Sequence, residues 1–405
     1  VNVDPGNLTV DYEVSYNGRP IPDDFHVYAV RGWEPAINNR TTKSFEFYWR
    51  IAQSHKMIGP DILRFTFRDK AQMRGAKPGM WAIFKSKTHF FAVGIIVDEN
   101  NDVSIDNIKI YGVPSSAING RRNKSLEITN CKVMPRPGTE KVWASHSGFE
   151  IHNSLGYFKM ANNYLEFTHD DALHFSSYFL GGGFKRINDN TLRILGLMYW
   201  QAADAFIVGD TYEFFNRDFS PTGFKARLKN YKWTFVEGKG QAKHYVTAVF
   251  DRAIPKDINA KAIIFNTSSY GAGQFYICDN TIKNGLCHGL YIGEPNGVIE
   301  NNRILNTAYP ALVVHSVIRW TRWHIGYPPR NIVIRNNSIE NCDTALRPPA
   351  DVFIGGGIDP QKDDYFPGTY PVAKNILLTG NTIRNSQWQP LTVWSAENVI
   401  VRNNN

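Results

Sequence analysis

The run Thr168-His169-Asp170-Asp171-Ala172-Leu173-His174 sets two carboxylates side by side and flanks them with imidazoles. Neighbouring like charges repel, so crowding such a pair without a cation raises the pKa of at least one member. A carboxyl kept protonated beside one kept ionised is what acid/base cleavage of a glycosidic bond requires. A solvated Asp-rich turn is the plainer reading of the same residues. Upstream, Ser147-Gly148-Phe149-Glu150-Ile151-His152 offers a third carboxylate. If Phe149 and Ile151 face a core, Glu150 and His152 share the outward face of one strand. Asp170 is the candidate acid, with Asp171 and Glu150 competing as the base. Adjacent strand residues point to opposite faces, so Asp170 and Asp171 reach one site together only at a bend.

The elements that must position these groups are marked by asparagine. Ile277-Cys278-Asp279-Asn280-Thr281-Ile282 recurs as Ile299-Glu300-Asn301-Asn302-Arg303-Ile304 and as Ile334-Arg335-Asn336-Asn337-Ser338-Ile339. It returns as Leu378-Thr379-Gly380-Asn381-Thr382-Ile383 and at residues 401–404, with earlier copies at 105–110, 128–133 and 160–165. Matching positions 108, 131, 163, 280, 302, 337, 381 and 404 are separated by 23, 32, 117, 22, 35, 44 and 23 residues. A fixed minimum with larger increments is a coil that carries loop insertions. Asn suits the bends, because its side chain bonds nearby backbone and tolerates left-handed conformations. Stacked Asn side chains can also satisfy one another along the stack. Apolar residues such as Ile105, Ile108 and Ile110 are expected to build one continuous core. The fold class is all-β: a right-handed parallel β-helix.

The ladder stops between positions 163 and 280. Strand-like runs separated by Gly, Pro and Asn fill the gap: residues 185–195, 208–215, 224–228, 231–236 and 245–250. They read as a small inserted β-barrel or sandwich. The expected organisation is residues 1–100 as an N-terminal cap and first coils, then 101–177 as β-helix. An insert at 178–256 follows, and the β-helix continues over 257–405. Within the first segment, residues 62–67, 81–84 and 90–97 look like strands, and an apolar stretch near Phe45 to Ile51 looks like a short helix.

The chain has 405 residues, 42% hydrophobic, enough for a large core that grows by repetition. No run of about 18 apolar residues appears, so no membrane helix is expected. No signal peptide opens the chain, whose first residues look like the start of a processed product. A net charge of +8 favours an anionic partner. Nucleic acid lacks a supporting motif, which leaves an acidic or sulfated glycan, against the alternative of an ordinary solvated basic surface. Cys131, Cys278, Cys287 and Cys342 have no metal-type spacing, and no metal or cofactor is expected. Trp143, Trp200, Trp320 and Trp323 are candidates to stack on sugar faces, and Arg319 and Arg322 to hold a carboxylate or sulfate.

Residues 75–340 resemble the β-helix α-1,3-galactosidases of glycoside hydrolase family 110. The resemblance lies in Lys77-Pro78-Gly79, residues 105–111, Met134-Pro135-Arg136-Pro137-Gly138, Ser147-Gly148-Phe149 and Asp170-Asp171-Ala172. It continues through the strand-rich insert with Gly209-Asp210 and the return through Asn284-Gly285-Leu286-Cys287-His288-Gly289-Leu290. It implies an exo-acting, inverting hydrolase of terminal α-linked galactose, with its carboxylates on the solenoid beside the insert. Asp170 and Asp171 match the family's aspartate pair. Ser147 stands where the family has a third carboxylate, Glu150 where His is common and His174 where Asn is common. His288 replaces a typical Arg, and Trp323-His324 occupies a Trp-x-Glu-like element. An inverting enzyme holds its two carboxyls roughly 6.5 to 9.5 Å apart.

The expected catalytic residues are therefore Asp170, Asp171 and Glu150. Ser147, His152, His174, His288, Arg322, Trp323 and His324 are expected to bind substrate. The expected partner is an oligo- or polysaccharide in a secreted or periplasmic setting, with a homodimer left open. Two alternatives use the same solenoid. A polysaccharide lyase or epimerase would need a base beside a neutralised carboxylate. A noncatalytic glycan-binding or tail-like β-helix would need no turnover at all.

Overall fold

The computed structural model describes residues 2–13, 27–33, 44–48, 52–73, 76, 78–79, 81–86, 92–138, 144–181, 183–194, 204–235, 245–319, 323–343, 350–357 and 370–405. From Ile95 onward the chain winds through three parallel sheets. Each turn visits the first sheet, then the second, then the third. Ile95–Asp98, Val103–Asp106 and Lys109–Ile110 form one such coil. In the first sheet Ile95, Ile118, Phe149, Leu173, Leu290, Leu312, Val352 and Leu391 stand in register on successive coils. The second sheet stacks Ile128, Met160, Ile277, Ile299, Ile334 and Leu378 in the same way. These columns share one buried core. Alternation of period two sends one set of side chains inward, and parallel register extends the set from coil to coil. The protein is a parallel β-helix.

Asparagine closes the bend between the second and third sheets. Asn163 Nδ2 donates to Asn280 Oδ1 at 3.0 Å, Asn280 to Asn302 at 2.9 Å and Asn302 to Asn337 at 3.0 Å. Asn337 continues to Asn381 at 2.9 Å, and Asn381 to Asn404 at 2.8 Å. Residues just before the ladder positions, such as Asn162, Asp279, Asn301 and Asn336, take φ near +55°. That is the left-handed region in which Asn and Asp are enriched. Ile108, expected in the core, is instead 39% exposed. It lies in the bend between Val103–Asp106 and Lys109–Ile110, where the pleat no longer dictates direction.

The insertion leaves the solenoid register unbroken: Ala161 pairs with Cys278 as directly as Thr129 pairs with Ala161. Between them lies an antiparallel sheet of six strands. Its order is Phe184–Asn188, Thr191–Ile194, Tyr245–Phe250, Pro221–Thr234, Thr211–Phe215 and Ile263–Asn266. Leu180 exchanges two 3.0 Å backbone bonds with Ile264, and Phe184 N donates to Ala260 O at 2.8 Å. These bonds draw the first and last strands together around Leu192, Phe214, Leu228, Val246 and Phe250. The expected boundary at 256 moves outward, because Ile263–Asn266 pairs with Thr211–Phe215 and parallel pairing resumes at Gln274. The runs expected at 224–228 and 231–236 are one long bulged strand, Pro221–Thr234.

Before the first coil, Asn2–Asp4, Thr9–Glu13, Ile62–Phe67 and Ala52–Met57 form an antiparallel sheet. Strict alternation buries Leu63, Phe65 and Phe67. Ser44–Tyr48 pairs with Val27–Trp33 as a strand, which corrects the helix expected near Phe45. Aromatic residues two apart suit a pleated face better than a short helical turn. Among the described residues, no helix is long and apolar enough to cross a membrane.

Candidate functional site

Four successive coils present their entry bends to one edge of the first sheet. Register places Ser116, Ser147, Asp171 and His288 at the same position, two residues before the buried Ile118, Phe149, Leu173 and Leu290. Close stacking here demands small neighbours: a Cβ on Gly148 would lie 2.1 Å from Ala172 O. Phe149 and Ile151 are fully buried and Glu150 faces outward, as parity requires.

Glu150 gathers three donors. Ser116 Oγ donates to Oε2, Ser147 Oγ to Oε1 at 2.7 Å, and Asn119 Nδ2 to Oε2 at 3.3 Å. Ser147 sits at the aspartate position of its own coil, and its hydroxyl holds a carboxylate rooted three residues on. Asp171 has a different setting. It is 7% exposed, with His174 Nδ1 at 3.0 Å from Oδ2 and His288 Nδ1 at 2.7 Å from Oδ1. Burial alone would raise its pKa; the His288 charge and hydrogen bonds from both imidazoles hold it well below the usual carboxylate range. Asp170 is more open, its side chain 35% exposed and 3.2 Å from His146 Nε2. Two adjacent coils thus hold three carboxylates in three environments.

Rings line the adjoining face. His174 packs on Tyr291 at 4.4 Å between centroids, and His288 lies 5.3 Å from Tyr291 and 5.4 Å from Tyr309. Further along, Tyr291, Val313 and Phe353 pack with Tyr178, Val317 and Ile325 in one buried cluster. The accessible chemistry therefore lies at the bends and at Glu150 on the strand beside them, not further along the sheet.

Other expected residues fall elsewhere. His152 is buried, its Nδ1 3.2 Å from Ser176 O and its Nε2 3.2 Å from Tyr178 OH. Burial first, then His174 and Arg121, push its pKa well below the ordinary histidine value. It acts as a neutral packing group. His324 is buried against Phe179 and accepts from Gly181 N at 3.3 Å, and its pKa falls to about 3, chiefly through burial. That ring joins the strand Trp323–Ile325, which pairs antiparallel with Leu312–Arg319, to the chain entering the insert, rather than facing solvent. Arg322, Trp320, Trp143 and Trp200 lie outside the described residues, as do the side chains of Trp323 and Arg319.

Sequence reading missed Ser116, Asn119, His146, Tyr291 and Tyr309, whose relation to the aspartates is one of coil register. It also expected no metal ligands. Asp171, Cys287 and His288 nevertheless bring one donor atom each to within 4.8 Å of one another. The four cysteines form no disulfide.

No protein-family model matches the chain, and no curated protein matches it. Among solved structures it is similar to a complex of XylC with xylose at 12% identity and a TM-score of 0.25. That match covers 70% of this chain and 57% of the other. It is also similar to the tailspike protein gp49 from Pseudomonas phage LKA1, at 10% identity and a TM-score of 0.28, over 99% of this chain and 57% of the other. The chain spans a little over half the length of each.

Proposed function

We propose that this chain is a carbohydrate-active enzyme: an exo-acting, inverting glycoside hydrolase that removes a terminal α-linked galactose or related sugar. In this reading it is a divergent member of glycoside hydrolase family 110. One observation carries the proposal: Glu150 on one coil and Asp170 and Asp171 on the next hold three carboxylates in three distinct electrostatic settings. Asp170, on the open edge, protonates the leaving oxygen. Glu150 accepts the proton of the attacking water, since hydroxyl and amide donors orient its carboxylate without filling all its acceptor positions. Asp171, with both oxygens already engaged, aligns His288 toward the sugar hydroxyls, while buried His174, its Nε2 held 2.8 Å from Ser176 Oγ, braces Asp171 from within. The Ser147–Glu150 contact supports the family reading, because it sets a carboxylate against the residue that stands where the family carries its third one. The net charge of +8 favours an acidic or sulfated glycan, met in a secreted or periplasmic setting.

Proton NMR of the products from a panel of α-galactosides and anionic glycans tests this. Free monosaccharide should appear first in the anomeric configuration opposite to the bond cleaved. An unsaturated product absorbing in the ultraviolet would establish a lyase instead, and binding without turnover would overturn catalysis altogether.

A further inference from the structure

We propose that Asp171, Cys287 and His288 form a binding site for a borderline-soft divalent cation of the zinc class. The proposal goes beyond the hydrolase reading and needs no turnover. Three donors of different chemistry converge: a carboxylate oxygen, a thiol sulfur and an imidazole nitrogen, all within 4.8 Å of one another. His288 Nδ1 lies 2.7 Å from Asp171 Oδ1 and 3.4 Å from Cys287 Sγ. A four-coordinate cation about 2.0 to 2.3 Å from each atom spaces its donors roughly 3.3 to 3.8 Å apart, within the span of 2.7 to 4.8 Å that these three atoms cover. Sulfur and imidazole together select zinc, cobalt or copper over magnesium or calcium, which prefer all-oxygen shells.

The surroundings suit a cation. Cys287 and Asp171 are buried, while the His288 side chain is 20% exposed, so the site opens on the histidine side. Three protein donors leave a fourth position for water or a substrate oxygen. His174 Nδ1, 3.0 Å from the second oxygen of Asp171, fixes that carboxylate from behind. Binding replaces the hydrogen bond between His288 and Asp171. It releases the Cys287 thiol proton and any second imidazole proton to solvent. No redox change is involved.

Position adds a consequence. Asp171 precedes the insertion and Cys287–His288 follow it, 117 residues later along the chain between Asp171 and His288. A shared cation would staple together the coils on either side of the inserted barrel.

The test is cobalt(II) titration of the full chain after treatment with a chelator, followed by absorption spectroscopy. One equivalent should bind with thiolate-to-cobalt charge transfer in the near ultraviolet and the visible bands of a four-coordinate ion. Cys287→Ser should abolish the charge-transfer band, and His288→Ala should weaken binding by more than about tenfold, since even outer partners of ligands cost that much. Cys342→Ser, at a buried thiol in the solenoid wall, should keep the band and controls for tolerance of a lost sulfur. Absence of charge transfer in the wild type, or its persistence in Cys287→Ser, would overturn the site. Glycan turnover plays no part in this readout, so failure of the hydrolase reading and failure of the cation site are told apart.

Discussion

Ser147 Oγ stands 2.7 Å from Glu150 Oε1 while both oxygens of Asp171 are engaged by imidazoles. Residues of one chemical type thus receive different tasks from their hydrogen-bond partners. Glu294 extends this to a carboxyl away from the bend. It is fully buried, with Oε1 2.6 Å from Ser177 Oγ and Oε2 2.8 Å from Ala272 N, and burial pushes its pKa up to about 8. Its folded pKa lies above the unfolded value near 4.5, so its contribution to stability is complete below about pH 4.5 and is lost as pH rises through 8. At about 1.4 kcal/mol per unit, the full loss approaches ~4 to 5 kcal/mol. Glu294→Gln keeps the shape and removes the ionisation. Thermal melts should show the variant more stable than wild type at pH 9 and close to it at pH 5; equal melting temperatures at both would contradict the assignment. Nothing in the local sequence around Glu294 signals this role, which arises only when Ser177 and Ala272 are brought beside it.

Each bend is an element with its own energetics. Asn280 bonds Asn163 N and Nδ2 at 3.0 Å, Met160 O at 2.8 Å and Asn302 Oδ1 at 2.9 Å. Asn280→Ala strands several buried groups at about 1 to 3 kcal/mol each, so urea unfolding should show a loss of ~2 to 4 kcal/mol. A loss under about 0.5 kcal/mol would mean that the ladder is ornament. Gly148→Ala drives a methyl against Ala172 O and should cost ~1 to 3 kcal/mol or more by the same measurement. This is the scale at which the sequence was most legible. Asn residues recur where the structure bonds them, and the intervals 117, 22, 35, 44 and 23 are those of the bonded pairs. Legibility failed where local pattern and pairing conflict. Ser44–Tyr48 is a strand because Val27–Trp33 lies beside it, and Ile263–Asn266 joins the insert because Thr211–Phe215 completes it.

At the scale of the whole molecule, the solenoid tolerates an insertion of roughly a hundred residues because coils pair with their spatial neighbours, not their neighbours in sequence. The insertion leaves the first sheet after Leu173–Ser176 and returns at Gln274–Cys278, which brings His288 against Asp171. The acidic pair was legible as chemistry, but its partners were not, since register across 117 residues is invisible to spacing alone. Whether Asp170 and Glu150 act as acid and base is decided by kcat/KM of Asp170→Asn and Glu150→Gln on a glycan that the wild type cleaves. Both variants should keep the wild-type melting profile and lose about 10² to 10⁴-fold in kcat/KM. Activity within about tenfold of wild type in either would contradict the assignment.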